Sequence, residues 1–87
     1  MANFIVIPLS TDKENLNKLI SEKFGNACFF LPNGDWLISY TGTSKQLSDD
    51  LNITDGGNGG NAVILNFHGY WGLANNDIWE WLSEYSR

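Results

Sequence analysis

The chain has 87 residues, enough for a single domain, 1–87, built around one small core. Ten acidic residues against five basic ones give a formal charge of −5, which disfavours binding to nucleic acid or to anionic membranes. A composition that is 43% hydrophobic and 14% aromatic excludes a disordered acidic segment and is typical of a globular protein.

The cysteine content and the N-terminus indicate the compartment. Cys28 is the one cysteine, so no intrachain disulfide can form and a reducing environment is expected. Residues 1–4 lack the basic and apolar regions of a signal peptide. Apolar runs stay well below the roughly 20 residues of a membrane-spanning helix. We therefore expect a cytoplasmic protein without a membrane segment.

The first elements in chain order are a strand and a helix. Residues 4–9 form a continuous apolar run rich in β-branched side chains, which is typical of a central strand buried on both faces. Thr11 and Glu14 have the spacing of a capping box and predict a helix over residues 12–24. Gly25 is expected to end this helix.

A hairpin and a second helix are predicted next. Apolar runs at 27–31 and 35–41 flank Pro32-Asn33-Gly34, and Asn-Gly between two strands is a strong hairpin signal. The second run alternates between an apolar and a mixed face. Thr43 and Gln46 then form another capping box, which predicts a short helix.

The last part of the chain predicts a loop, a strand and a helix. The glycine-rich stretch 55–61 is expected to be a loop, followed by a strand over 62–67. Asp77 and Glu80 have capping-box spacing before a final amphipathic helix. The apolar stripe of that helix consists of Ile78, Trp81, Leu82 and Tyr85, with Trp79 at its border.

The element order is β-α-β-β-α-β with an additional C-terminal helix, which predicts an α+β fold, a ferredoxin-like antiparallel sandwich. Right-handed crossovers place the first strand inside the sheet. Two helices cover one face. The third either covers the other face or joins the helix layer, and an uncovered face would be a surface for a dimer or a partner.

The residue patterns do not support catalysis, a metal site or a cofactor. His68 has no second histidine, cysteine pair or acidic cluster at ligand spacing. Cys28 lies in a Phe-rich strand, whereas a reactive thiol needs an electropositive setting. The acidic residues stand mainly at helix starts and turns, where capping explains them. We therefore expect no cofactor, no metal and no catalytic residue.

The C-terminal region is rich in aromatic residues, which points to a protein interface. Trp71, Trp79 and Trp81 are three of the four tryptophans, and Tyr70 and Trp71 lie in a loop flanked by glycines. Tryptophan and tyrosine are preferred at the centres of protein interfaces. They also cover small cores, the role expected for Trp81.

The leading hypothesis is a non-enzymatic protein-binding module of bacterial or phage type, acting as inhibitors, immunity proteins and antitoxins do. It would bind a protein partner, with a basic surface, through steric block and electrostatic steering. The candidate binding residues are Tyr70, Trp71, Trp79, Asp77, Glu80 and His68, with Glu84 adding to the acidic surface.

Two alternatives stay open. One is a small enzyme or ligand-binding domain that uses His68 with Cys28 or an acidic residue, and that forms a homodimer through the open sheet face. The other is a nucleic-acid-binding ferredoxin-like protein, which the acidic excess makes least favourable.

Overall fold

The computed structural model describes residues 2–54, 56–57 and 59–85. The elements in chain order are β1 (Ala2–Pro8), α1 (Glu14–Phe24), a short 3₁₀ turn (Gly25–Ala27), β2 (Cys28–Phe30), β3 (Trp36–Tyr40), α2 (Ser44–Asp50), β4 (Ala62–Phe67) and α3 (Asn76–Tyr85). Within these ranges, none of the helices combines the length and the apolarity needed to span a bilayer.

The four strands form one antiparallel sheet in the order β2-β3-β1-β4. The α+β class predicted from the sequence is therefore confirmed. β1 lies between β3 and β4, which agrees with the apolarity of both its faces. β2 and β4 are consequently the two edges of the sheet.

The first face of the sheet carries α1 and α2 and most of the core. Its fully or nearly fully buried members are Phe4, Val6, Leu16, Ile20, Trp36, Ile38, Leu47 and Leu51. The indole N–H of Trp36 donates a 2.8 Å hydrogen bond to Oδ1 of Asn17 in α1. This bond satisfies the one polar group of a buried ring and ties the helix to the sheet.

The predicted start of α1 is wrong by two residues. The helix begins at Glu14, and its N-cap residue, Lys13, makes no side-chain capping bond. Oδ1 of Asp12 accepts the Glu14 N–H at 3.1 Å, so a carboxylate, and not the hydroxyl of Thr11, satisfies a free backbone donor. The capping box between Thr11 and Glu14 is thus not formed.

The other two capping predictions differ in outcome. The box between Thr43 and Gln46 is confirmed, because each side chain accepts the backbone N–H of the other residue, at 3.1 and 2.9 Å. Asp77, in contrast, lies inside the first turn of α3, where its carboxylate accepts the N–H of Ile78 at 2.9 Å. Its predicted N-cap position is therefore wrong, although a carboxylate in the first turn still suits the helix dipole.

The predicted hairpin is present and joins β2 to β3 through residues 31–35. The N–H of Gly34 donates to the carbonyl of Leu31 at 3.0 Å, and the N–H of Leu31 donates to the carbonyl of Asp35 at 2.8 Å. Gly34 has a φ of 96°, a conformation that glycine adopts without strain, which explains its place in the loop.

The glycine-rich loop predicted over 55–61 is only partly described, because residues 55 and 58 lie outside the described ranges. Its other residues form no helix or strand. A side chain at Gly59 would collide with the carbonyl oxygen of Leu51, so this glycine lets the loop pass close to the end of α2.

The third helix packs on the second face of the sheet, which decides between the two placements that the sequence allowed. Leu37 of β3 is buried against Trp81 and Leu82 of α3. The cover is incomplete, since Val63 and Leu65 of β4 stay 42% and 49% exposed on the same face. The second face is thus covered by α3 around β3 and stays open along β4.

Candidate functional site

An apolar groove of about 410 Å³ lies on the second face of the sheet, beside α3 and the loop of residues 68–75. Its floor includes Ile5, Leu37, Leu65 and Phe67, and its walls include Ile78, Trp79 and Leu82 of α3 and Tyr70 and Trp71 of the loop. Among the described residues that line it, none carries a charge. The groove therefore suits an apolar occupant.

The loop beside this groove presents two large apolar side chains to solvent. Trp71 is 98% exposed, and Leu73 is completely exposed. Neither contributes to either core cluster, so burial in the folded chain does not explain them. Adjacent exposed apolar side chains beside an apolar groove are the usual features of a protein-binding surface.

The base of the loop is connected to α3. The rings of Tyr70 and Trp79 stack, with their centroids 6.1 Å apart. The N–H of Ile78 donates to the carbonyl of Asn75 at 3.1 Å, which joins the end of the loop to the first helical turn. The structure thus brings together Tyr70, Trp71 and Trp79, three of the residues predicted to bind a partner.

The opposite side of α3 holds the helix on the sheet. Trp81 is buried, and its indole N–H donates a 3.1 Å hydrogen bond to the carbonyl of Asn26. Its ring stacks on that of Tyr85, with the centroids 5.0 Å apart, and its centroid lies 6.3 Å from that of Phe29. Trp81 is therefore a core residue, as the sequence indicated, while Trp79 lines the groove.

The acidic candidates lie on the exposed side of α3. Asp77, Glu80 and Glu84 are all exposed, and Glu80 and Glu84 line a shallow depression together with Trp79. Residues 68–85 contain no Lys or Arg. The described lysines are Lys13, Lys18, Lys23 and Lys45, all in or next to α1 and α2, while Arg87 lies outside the described residues. The solvent-exposed side of α3, which borders Trp79, is consequently acidic.

His68 and Cys28 lie at opposite edges of the sheet. His68 follows β4 and is exposed, whereas Cys28 belongs to β2, three strand spacings or about 14 Å away across the sheet. The Cys28 thiol donates to the carbonyl of Gly25 at 3.1 Å, and burial raises the pKa of the thiol. The two side chains therefore do not form a His68–Cys28 pair, which is one of the two forms of the enzyme alternative.

Metal binding finds no structural support within residues 2–54, 56–57 and 59–85. Nowhere in these ranges do three His, Cys, Asp or Glu side chains come together in a way that could hold a metal ion.

Several residues of the site escaped the sequence analysis. Leu65 and Phe67 belong to a strand whose continuous apolar run is typical of burial on both faces, so their position in a groove had no sequence signal. Leu73 did have one. It is an apolar residue between Gly72 and Ala74 with no periodic partner, which is unusual for a loop.

Comparison with known proteins gives no family assignment. No protein-family model matches the chain, and no curated protein matches its sequence at a significant level. The geometry and chemistry of the groove are therefore the basis for assigning a function.

Proposed function

We propose that this protein is a non-enzymatic protein-binding module of the inhibitor, immunity-protein or antitoxin type. One observation carries the proposal: Trp71, 98% exposed, stands at the mouth of an uncharged apolar groove of about 410 Å³. A side chain of this size gains most of its burial energy only when a partner covers it.

The groove and the loop contact the same partner. An apolar side chain of the partner enters the groove, while Trp71 and Leu73 become buried against the partner surface. Covering a tryptophan buries roughly 200 Å², which at about 25 cal/mol per Å² is about 5 kcal/mol before the entropic cost of association. Such a contact blocks the covered part of the partner sterically.

Electrostatics selects the partner. Asp77, Glu80 and Glu84 lie on the exposed side of α3, where Glu80 and Glu84 share a depression with Trp79, and the chain carries a net charge of −5. A basic protein surface would be steered toward this side of α3, and nucleic acid would be repelled. His68, exposed where the loop begins, would contact the edge of the same partner.

We further propose that the fold is ferredoxin-like, with α3 as an addition. The element order β-α-β-β-α-β and the antiparallel strand order β2-β3-β1-β4 support this. In this interpretation, α3 and the loop before it convert the second sheet face into the groove. A cytoplasmic location would suit the free thiol of Cys28.

A small apolar ligand is the second candidate, because the groove volume lies in the range of small-molecule sites. Its lining is apolar apart from the Tyr70 hydroxyl, the indole N–H groups and backbone groups, since Asn66 pairs with Phe4 and its side chain therefore lies on the first face. Native mass spectrometry of the purified protein would detect a retained ligand as an added mass.

The test of the proposal is quantitative capture from a lysate of the native host. The wild-type chain is compared with a Trp71→Ala/Leu73→Ala variant and with Phe30→Ala, a matched control. Phe30 is half-exposed, but it lies on β2 at the far edge of the sheet. We expect one protein to be recovered by the wild type and by the control and lost by the loop variant. Equal recovery by all three would contradict the proposal.

A further inference from the structure

The outer edge of β4 is open. Among the described residues, β4 pairs with β1 alone, so every second residue of Ala62–Phe67 directs its N–H and C=O away from the sheet. Proteins usually protect such an edge with Lys, Pro, a bulge or a very short strand. The other edge strand, β2, is only 3 residues long.

None of these protections exists on β4, which α2 contacts from the first face, where Ala62 and Ile64 pack against the core. The strand has 6 residues, Ala-Val-Ile-Leu-Asn-Phe, without a proline or a charged side chain. Its register with β1 is continuous from Ala62 to Phe67, which leaves no room for a bulge. A long, uncharged and regular edge is a template for an additional strand.

The side chains beside this edge are apolar and exposed. Val63 and Leu65 project from the second face of the sheet, and α3 does not cover them. Leu65 also lines the groove with Phe67 and Trp71. A strand added to β4 would therefore place every second side chain next to Val63 and Leu65, on a surface continuous with the groove.

We propose that β4 receives an extended segment of the partner as a fifth strand of the sheet. This inference rests on the proposed function and specifies its binding mode. The segment is apolar at the alternate positions that face Val63, Leu65 and the groove, and it carries Lys or Arg toward α3. Backbone hydrogen bonds along β4 supply affinity, and the groove supplies specificity.

The charge distribution argues for a basic partner over a second copy of this chain. Residues 62–85 contain Asp77, Glu80 and Glu84 and no Lys or Arg. In a symmetric β4–β4 dimer, two acidic surfaces and two net charges of −5 would approach each other, which is unfavourable. A strand with Lys or Arg at the end that lies toward α3 would instead be attracted to the carboxylates of that helix.

The test uses synthetic peptides as the probe. The first is Lys-Lys-Thr-Val-Thr-Val-Thr-Val-Lys-Lys, the second has Glu in place of every Lys, and the third is the first peptide with its central amides N-methylated. Amide hydrogen exchange of the ¹⁵N-labelled protein is followed by NMR. We expect the basic peptide to slow exchange of the outward-facing β4 amides at least about tenfold, and the other two to have little effect.

Three results would overturn the proposal. The first is that the basic peptide leaves exchange of the β4 amides unchanged. The second is that the basic and the N-methylated peptides slow this exchange equally, which would mean that side chains alone occupy the groove. The third is protection of β4 without any peptide in a protein that light scattering shows to be dimeric, since a second copy would then be the occupant. Equal protection by the acidic peptide would overturn the assigned charge.

A pair of variants separates this inference from the proposed function. Val63→Lys places a charge beside the edge but outside the groove, and Val63→Thr is its β-branched control. We expect Val63→Lys to weaken binding of the basic peptide about tenfold at unchanged melting temperature. Partner capture could depend on Trp71 while the basic peptide leaves amide exchange of β4 unchanged and Val63→Lys does not weaken peptide binding. In that case the proposed binding mode is wrong and the proposed function stands.

Discussion

Trp79 of α3 stacks on Tyr70 of the preceding loop, with ring centroids 6.1 Å apart and ring planes inclined by 25°. This contact fixes the residue directly before Trp71, whose own side chain points into solvent. A binding residue held in place before the partner arrives loses less conformational entropy on association. The stack therefore connects the folding of α3 with the presentation of Trp71.

We expect the stack to be measurable as a coupling energy. Tyr70→Ala, Trp79→Ala and the double variant form a double-mutant cycle, and an aromatic pair contributes about 0.5–1.5 kcal/mol beyond its buried area. Urea denaturation of the four proteins gives the coupling. A value near zero would mean that the loop is not held by these rings.

Trp71→Ala is expected to leave stability nearly unchanged, within about 0.5 kcal/mol of the wild-type free energy of unfolding, because the side chain is exposed. Leu82→Ala, at a buried position of the same region, should cost about 2–5 kcal/mol. Chemical denaturation compares the two directly. A similar cost for both would place Trp71 in the core and remove the argument for a binding surface.

Two threonines offer a matched test of helix capping. Thr43→Ala removes the hydroxyl that accepts the N–H of Gln46 and should lower the free energy of unfolding by about 1 kcal/mol. Thr11→Ala should have almost no effect, because the N-cap of α1 is Lys13 and Asp12 accepts the first helical N–H. Equal losses in thermal unfolding of the two variants would contradict this difference.

Stability should fall at alkaline pH. Burial raises the pKa of Cys28, and the 2.6 Å hydrogen bond donated by the Tyr40 hydroxyl to Asp50 raises the pKa of Tyr40. The folded protein thus holds both protons more tightly than the unfolded chain, in which the thiol has a pKa of about 8.5 and the phenol a pKa of about 10. Their stabilising contribution is complete below those values and is lost as pH rises through the folded pKa values.

Denaturation curves from about pH 7 to about pH 11 measure this effect. The free energy of unfolding should begin to fall above about pH 8.5, and Cys28→Ser and Tyr40→Phe should each remove part of the slope. A constant or rising stability over this interval would show that neither proton is held more tightly in the folded state.

The element pattern could be predicted from the sequence because it depends on local chemistry. The apolar run of β1, the Asn-Gly turn and the box between Thr43 and Gln46 each act within a few residues, and each is present in the structure. The starts of the helices are harder to predict from the sequence. Several side chains near the N-terminus of a helix compete for the same backbone donors. At α1, the carboxylate of Asp12 accepts the Glu14 N–H that the capping box assigns to the hydroxyl of Thr11.

The site could be predicted only in part, because it depends on how distant elements pack. The stripe of α3 fits either sheet face, so the sequence could not tell that Leu37 is its partner. Nor could it tell that β4, whose Val63 and Leu65 resemble core residues in sequence, stays partly uncovered. The aromatic residues were identified by composition, and the groove required the structure.

The central claim is that Trp71 and the groove beside it contact a protein partner. Fluorine NMR of the protein labelled with 5-fluorotryptophan tests it most directly, because the four tryptophans lie in different environments. On addition of the captured partner, the signals of Trp71 and Trp79 should shift or broaden, while that of Trp36, on the opposite face, stays unchanged. Binding that leaves the Trp71 signal in place would contradict the account.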